Sequence, residues 1–190
     1  ILTMPLSARA WESLSPSAGS TVTLLGGQVV RPDGSLGENL AVVVRDGKIR
    51  RLVPAASVRD QNARRFDSAV VICPGLIDVF SQVGTSGQSL DTEPFVDPDA
   101  NVLDAMDPSD EDFAKALRCG ITAAMVAPSP HNLVAGTAAT VRTYGPDGQL
   151  DVLCDQGPLL FAFGDEILQQ DRPPTSRAGA LYELRNLVEQ

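Results

Sequence analysis

The sequence predicts a mixed α/β fold with a β-rich unit at its N-terminal end, and two local patterns support this prediction. Two β-rich runs, Leu40 to Arg45 and Lys48 to Val53, are joined by Asp46-Gly47. Asp-Gly between such runs favours a tight hairpin turn. Later in the chain, a helical segment ends at Gly120 and the apolar run Ile121 to Ala127 follows at once. A short buried strand directly after a helix is typical of a parallel sheet.

The remaining elements of the N-terminal unit follow from turn and strand signals. Residues 1 to 20 show no sustained hydrophobic period and are interpreted as an arm that packs on another part of the protein. A strand is predicted from Thr21 to Val30, and Arg31-Pro32-Asp33-Gly34 has the composition of a turn. After the hairpin, Phe66 to Ile72 is predicted to be a returning strand.

The second half of the chain begins with a long predicted loop from Thr85 to Asn101, rich in Gly, Ser, Asp and Pro. Acidic residues from Asp107 to Asp112 suit the first turn of a helix, because they complement its positive end. Further elements are predicted from strand and helix patterns: an inward helix face of Phe113, Ala116 and Leu117, strands near 138–142, 152–154 and 159–163, a turn at 145–148, and a last helix capped by Thr175 or Ser176 with Ala180, Leu181, Leu184, Leu187 and Val188 on one face.

Size and charge limit the classes of function. The 190-residue chain carries 24 acidic and 15 basic residues, a formal net charge of −9, so a phosphate backbone would be repelled and nucleic acid is not an expected partner. No apolar run reaches the length of a membrane span, and no membrane partner is expected. The three cysteines, Cys73, Cys119 and Cys154, are interpreted as buried reduced thiols, which favours the cytoplasm.

One stretch resembles a known family. Cys73-Pro74-Gly75-Leu76-Ile77-Asp78-Val79-Phe80-Ser81-Gln82 follows an apolar segment. It resembles the motif Pro-Gly-x-Ile-Asp-x-His-x-His that opens the barrel of the amidohydrolase superfamily, in its imidazolonepropionase-like and dihydroorotase-like branches. The strand and hairpin from Thr21 to Val53 are similar to the small sheet unit before that barrel. Cys119 to Pro128 and Asn132 to Gly136 are similar to its second strand and the step after it.

This resemblance implies a fold of two parts, a small β-sandwich followed by the first strand-helix units of a (β/α)8 TIM-type barrel. The implied organisation is an arm at 1–20, a sandwich domain at 21–73 and a partial barrel at 74–190. A complete barrel needs roughly 250 residues, so the 190-residue chain corresponds to the N-terminal half of such a protein. We therefore expect another chain or a further segment to complete the barrel, and an oligomer is one form this could take.

Phe80 and Gln82 occupy the positions of the two family histidines. Alternate residues of a strand share one face, so the spacing for a metal-binding pair is retained while the imidazoles are absent. Phenylalanine has no lone pair, and a glutamine carbonyl is a poor ligand for the ions that imidazole binds. The two lysines, Lys48 and Lys115, do not follow barrel strands, so neither is expected to bridge two metals. No catalytic residue, metal or cofactor is expected in this chain, although active relatives would hold zinc or another divalent ion.

Three residues are candidates for lining a pocket at the carboxyl end of the barrel strands. Asp78 corresponds to the family aspartate before the histidine pair, where a structural hydrogen bond is favoured over catalysis. His131 is the one histidine of the chain and, with Asn132, follows the strand that ends near Ala127. Barrel enzymes place active-site residues at this end, yet a single histidine cannot form a histidine-rich metal site.

Three functions remain open. The first is a degenerate amidohydrolase that has lost metal-dependent hydrolysis and keeps a role in binding or assembly. The second is the N-terminal part of an active hydrolase of non-peptide C–N bonds in amides or cyclic amides, with metal ligands supplied by later segments. The third is a structural module whose open sheet edges serve as an interaction surface in a larger assembly. The missing histidines favour the first.

Overall fold

The computed structural model describes residues 21–85, 95–145, 148–168 and 172–189. The chain divides into two compact units between Pro74 and Gly75, whereas the sequence placed the boundary between Cys73 and Pro74. The predicted arm at 1–20, most of the predicted loop at 85–101 and the centre of the predicted turn at 145–148 lie outside the described residues.

The first unit contains two sheets. The four-stranded sheet has the order β5-β4-β1-β6 and the three-stranded sheet has the order β3-β2-β7. The strands are β1 (Thr21–Leu25), β2 (Gln28–Val30), β3 (Leu36–Glu38), β4 (Leu40–Arg45), β5 (Lys48–Pro54), β6 (Arg64–Arg65) and β7 (Val71–Ile72). The predicted hairpin is confirmed, with β4 antiparallel to β5 and with positive φ at both Asp46 (54°) and Gly47 (69°).

The strand predicted from Thr21 to Val30 is two strands, β1 and β2, which belong to different sheets. Gly26 and Gly27 separate them with φ angles of 109° and 66°, a region that favours glycine. The backbone also passes closely here, since a Cβ on Gly27 would collide with the Val70 carbonyl oxygen. The two glycines therefore let the chain cross from one sheet to the other.

The single strand predicted from Phe66 to Ile72 is wrong. Phe66 is held by one backbone hydrogen bond to the Leu25 carbonyl (2.7 Å), but the chain then turns instead of extending. The Asp67 carboxylate accepts a hydrogen bond from the Ala69 amide (2.9 Å), which closes a turn of the kind that aspartate favours. Only the short strands β6 and β7 pair on either side of this turn.

The second unit contains a four-stranded sheet of order β12-β11-β9-β8 and a two-stranded sheet of β10 and β13. Its elements are β8 (Leu76–Ser81), α1 (Glu111–Arg118), β9 (Ile121–Val126), β10 (Val134–Thr137), β11 (Ala139–Arg142), β12 (Asp151–Cys154), β13 (Leu159–Phe161) and α2 (Arg177–Val188). β8 and β9 are parallel, with α1 in the connection between them. This unit therefore begins with one strand-helix-strand step.

The rest of the second unit is not parallel. β11 runs antiparallel to both β9 and β12, and β10 runs antiparallel to β13. The connection from β9 to β11 contains β10 but no described helix, and a strand that returns without a crossover helix pairs antiparallel. Mixed sheets with few helices thus replace the expected run of strand-helix units.

Two apolar cores hold the second unit together. Phe113 of α1 packs with Val102, Val126 and Val141 in the first core. The second core contains buried Leu133, Val134, Ala162, Ile167 and Ala180, with Leu184 and Leu187 of α2 packed against it. The predicted inner face of α2 is therefore only partly right.

Two residues of that predicted face, Leu181 and Val188, are exposed. The three cysteines predicted to be buried are also exposed, and none forms a disulfide. Both errors have one cause, because neighbouring apolar residues in sequence do not show which face a further element covers. Among the described residues, no helix combines the length and the apolar character needed to cross a membrane.

Candidate functional site

Phe80 and Gln82 lie at the carboxyl end of β8, where that strand runs beside the end of β9. The Ala127 amide donates to the Ser81 carbonyl (3.0 Å) and joins the two strand ends. Phe80 is 53% exposed, and Gln82 is exposed one residue beyond the strand. The Gln82 carbonyl accepts hydrogen bonds from the Thr85 amide (3.1 Å) and hydroxyl (2.7 Å), so a tight turn follows.

Asp78 is half-buried two residues before Phe80 on the same strand. Its Oδ1 accepts a hydrogen bond from the Phe80 amide (3.2 Å). This contact lies within β8, and the structural role expected for Asp78 stays a prediction.

The side chains at this strand end do not fit a bound zinc-type ion. Phe80 supplies no donor atom, and Gln82 supplies only an amide. Throughout the described ranges, no group of three or more His, Cys, Asp or Glu side chains is placed to hold a metal ion. Lys115 is engaged on α1, where it donates to the Asp112 carboxylate (2.8 Å); this hydrogen bond raises the pKa of Lys115.

His131 and Asn132 meet a residue that the sequence had not singled out, Arg172. Arg172 Nη2 donates to the His131 carbonyl (2.6 Å) and to Asn132 Oδ1 (2.9 Å). The guanidinium also lies over the Phe95 ring, 5.7 Å from its centroid, within cation–π distance. We refer to Phe95, His131, Asn132 and Arg172 as the Arg172 cluster.

Within the Arg172 cluster, His131 accepts a hydrogen bond from Arg172 through its backbone carbonyl, and the residue is exposed. Its Nδ1 is hydrogen-bonded to the Ser129 hydroxyl. Asn132 is fully buried, with 0% of its surface exposed. Arg172 Nε and Nη1 are buried and find no hydrogen-bond partner in the part of the chain that the structure describes. The structure thus brings two of the three predicted pocket residues together, and it leaves Asp78 with its own strand.

Two other polar residues that follow strands have local partners. Asp165, after β13, pairs with Arg177 (2.7 Å) at an exposed position, which raises the pKa of Arg177. The Thr85 amide is engaged in the turn to Gln82. No signal in the local sequence marks Arg172, because its partners lie about 40 residues earlier in the chain.

The fold is similar to that of a solved amidohydrolase. A solved amidohydrolase structure from Thermotoga maritima MSB8 matches with a TM-score of 0.77 and 21% sequence identity, over 88% of this chain and 46% of that chain. This chain thus spans less than half the length of that protein. A prolidase complexed with N-methylphosphonate-L-proline matches with a TM-score of 0.34 and 22% identity, over 57% of this chain and 26% of that one. No protein-family model and no curated protein matches the chain.

Proposed function

We propose that this chain is a degenerate amidohydrolase that lacks metal-dependent hydrolysis and acts through binding or assembly. The observation that carries the proposal is the pair Phe80 and Gln82 at the end of β8, in the positions where the family motif has its two histidines. The finer fold belongs to the same proposal: the two sheets of the first unit form a β-sandwich, and β8, α1 and β9 begin a barrel.

Metal-dependent hydrolysis needs an ion that activates water and polarises the scissile carbonyl. That ion must be held by several donor side chains at once, and histidine nitrogen is among the best of them. Here an aromatic ring (Phe80) and an amide (Gln82) stand in place of the two histidine donors of the motif. The half-buried carboxylate of Asp78, which accepts from the Phe80 amide, is then explained by strand geometry alone.

Metal analysis of the purified full chain tests this proposal. We expect far less than about one zinc ion per chain after equilibration with zinc and desalting, because the described donor set cannot hold one. The double variant Phe80→His, Gln82→His is the matched comparison, since it restores both imidazoles of the motif at the end of β8 and should retain more zinc. Zinc bound at one equivalent by the unmodified chain would defeat the proposal.

A second candidate function is the N-terminal part of an active hydrolase of non-peptide C–N bonds. The observation that favours it is the coverage of the Thermotoga protein, of which this chain matches 46%. Histidines and an aspartate in later segments would then hold the metal. Sequencing the gene past Gln190 separates the two: later segments with these ligands, and metal-dependent amidase turnover when they are included, would support the second function.

The proposed assembly role would use the open edge of β8. This strand pairs with β9 on one side only within the described residues. Leu76, Ile77, Val79 and Phe80 are between 53% and 70% exposed, although strands of parallel sheets are normally covered on both faces. We propose that strands of another chain or of a further segment cover this edge.

A cytoplasmic location is proposed separately, because the three cysteines are free thiols.

A further inference from the structure

A basic depression lies in the first unit, at the end of the four-stranded sheet. It has a volume of about 480 Å³ and is lined by Thr21, Val43, Arg45, Asp46, Arg50 and Arg51. Small-molecule pockets commonly fall between about 300 and 1,000 Å³. Among the described residues, three guanidinium groups and one carboxylate therefore line a space of ligand size. We name this space the arginine pocket.

Strand register explains why the arginines meet. Arg45 pairs with Thr21 across β4 and β1, and Arg51 pairs with Val43 across β5 and β4. Directly paired residues lie on the same face of a sheet, and so do alternate residues of one strand. Arg45 and Arg51 consequently lie on one face, with Val43 next to both of them and Thr21 beside Arg45 on β1.

Arg50 joins this face because the register is irregular. Val43 pairs with Arg51 while Val44 pairs with Ile49, so Arg50 is an additional residue on β5. An additional residue of this kind is a β-bulge, which redirects a side chain that would otherwise point to the opposite face. A regular β5 would have presented one arginine here instead of two.

Within the part of the chain that the structure describes, one carboxylate accompanies three guanidinium groups in the arginine pocket. Asp46 lies 3.9 Å from Arg45 Nε and 3.6 Å from Arg50 Nη2, both beyond good hydrogen-bond distance. No ion pair or hydrogen bond joins the Arg51 side chain to another residue of the described ranges. Guanidinium groups are rigid forks that match phosphate oxygens, and three of them approach from separate strand positions.

We propose that the arginine pocket binds a small phosphate-bearing ligand, a phosphomonoester or a diphosphate. A tetrahedral phosphate offers oxygens in several directions and can meet three guanidinium groups, whereas a carboxylate offers two oxygens in one plane. The net charge of −9 on the whole chain repels a long polyanion, so a compact anion is favoured over nucleic acid. This site lies entirely within the first unit and does not depend on the proposed function.

Calorimetric titration of the full chain with pyrophosphate tests the proposal, in a phosphate-free buffer. We expect saturable binding that weakens as salt is raised, because the contacts are charged. Arg51→Gln and Arg50→Gln should each weaken binding by about tenfold, the loss of one charge-assisted contact. Arg59→Gln removes an exposed arginine of the same unit outside the pocket and should leave the affinity unchanged.

Further arms of the experiment make the result decisive. Arg51→Lys keeps the charge without the fork and should bind better than Arg51→Gln but less well than the unmodified chain. Far-UV circular dichroism of each variant confirms that the hairpin remains folded. The proposal is overturned if pyrophosphate does not bind, if Arg59→Gln weakens binding as much as Arg51→Gln, or if succinate binds as tightly as pyrophosphate.

Discussion

Asn132 shows how one buried polar side chain organises the loop after β9. It is fully buried beside Leu133 of the second core, and a buried polar group is costly unless it is hydrogen-bonded. Asn132 Oδ1 accepts from Arg172 Nη2 (2.9 Å), which also donates to the neighbouring carbonyl of His131. One nitrogen thereby connects two consecutive residues to a segment far away in sequence.

Replacing Asn132 by alanine should therefore destabilise the protein. Arg172 already has two buried nitrogens without a described partner, and the substitution removes an acceptor from the third. We expect a loss of about 1–3 kcal/mol in the free energy of unfolding, the usual cost of an unmade buried hydrogen bond. Urea unfolding followed by circular dichroism measures it.

Asn62→Ala is the control for this measurement, because Asn62 is exposed in the first unit. It should change the free energy of unfolding by less than about 0.5 kcal/mol. Equal stability of Asn132→Ala and the unmodified chain would mean that the hydrogen bond to Arg172 contributes nothing.

Asp107 provides a second test at the scale of one residue. Its carboxylate accepts hydrogen bonds from the Ser109 hydroxyl (2.7 Å) and amide (2.8 Å), and these lower the pKa of Asp107 from its ordinary value of 3.8. A lowered folded-state pKa stabilises the fold above the ordinary pKa, and this contribution is lost as the pH falls through the folded-state pKa.

Ser109→Ala should raise the pKa of Asp107 towards 3.8, because the largest cause of the lowering is the Ser109 side chain. A carboxyl-carbon NMR titration reports this pKa directly. Asp33 is the internal reference, since its pKa is lowered by Ser35 in the same way and should not move. An unchanged pKa of Asp107 in the variant would show that the Ser109 hydroxyl does not lower this pKa.

At the scale of elements, residues next to helix α1 in sequence determine where the helix begins and ends. Asp110 precedes the helix with non-helical backbone angles, and its Oδ1 accepts a hydrogen bond from the Asp112 amide (2.8 Å). At the other end, Gly120 has a φ of 86° and lets the chain turn into β9. The helix therefore places Phe113 in the first core.

Asp110→Ala should destabilise the protein by about 1 kcal/mol, the typical cost of removing a helix cap. Asp110→Asn keeps an oxygen that can accept from the Asp112 amide, so its loss should be smaller. Thermal unfolding of both variants separates capping from charge. If asparagine and alanine destabilise equally, the carboxylate charge matters at this position and the cap hydrogen bond does not.

The elements that the sequence predicted well depend on contacts close in sequence. The hairpin at Asp46-Gly47, helix α1 and strand β9 each carry their own turn, cap or apolar run. The break at Gly26-Gly27 could not be predicted, because it depends on the distant backbone of Phe66 and Val70. The antiparallel direction of β11 likewise depends on pairing rather than on composition.

The candidate site divides in the same way. Phe80 and Gln82 could be located from the sequence, because a short motif defines their positions along one strand. Arg172 could not be located in this way, because its partners His131 and Asn132 lie about 40 residues earlier in the sequence. The bulge that places Arg50 beside Arg51 was missed for a related reason: register is a property of two strands together.

At the scale of the whole molecule, the second unit carries an apolar strand at the edge of its sheet. β8 presents Ile77 and Val79 with 67% and 70% of their surfaces exposed. An exposed, apolar edge strand is a template for pairing with another strand, and apolar patches of this kind mark interaction surfaces. The proposed assembly role therefore predicts that the chain associates with another strand in solution.

The full chain should self-associate as its concentration rises, because a second copy is the strand donor present when no other partner is added. Val79→Lys places a charge on the exposed face of β8 and should shift the chain towards monomer, as charged edge residues oppose pairing. Size-exclusion chromatography with light scattering measures the mass of each variant. Val188→Lys changes an exposed valine on helix α2, outside any sheet edge, and is the matched control that should leave the mass unchanged. A monomeric, cooperatively unfolding unmodified chain would show that β8 needs no covering strand, because a stable fold would then tolerate this edge in water.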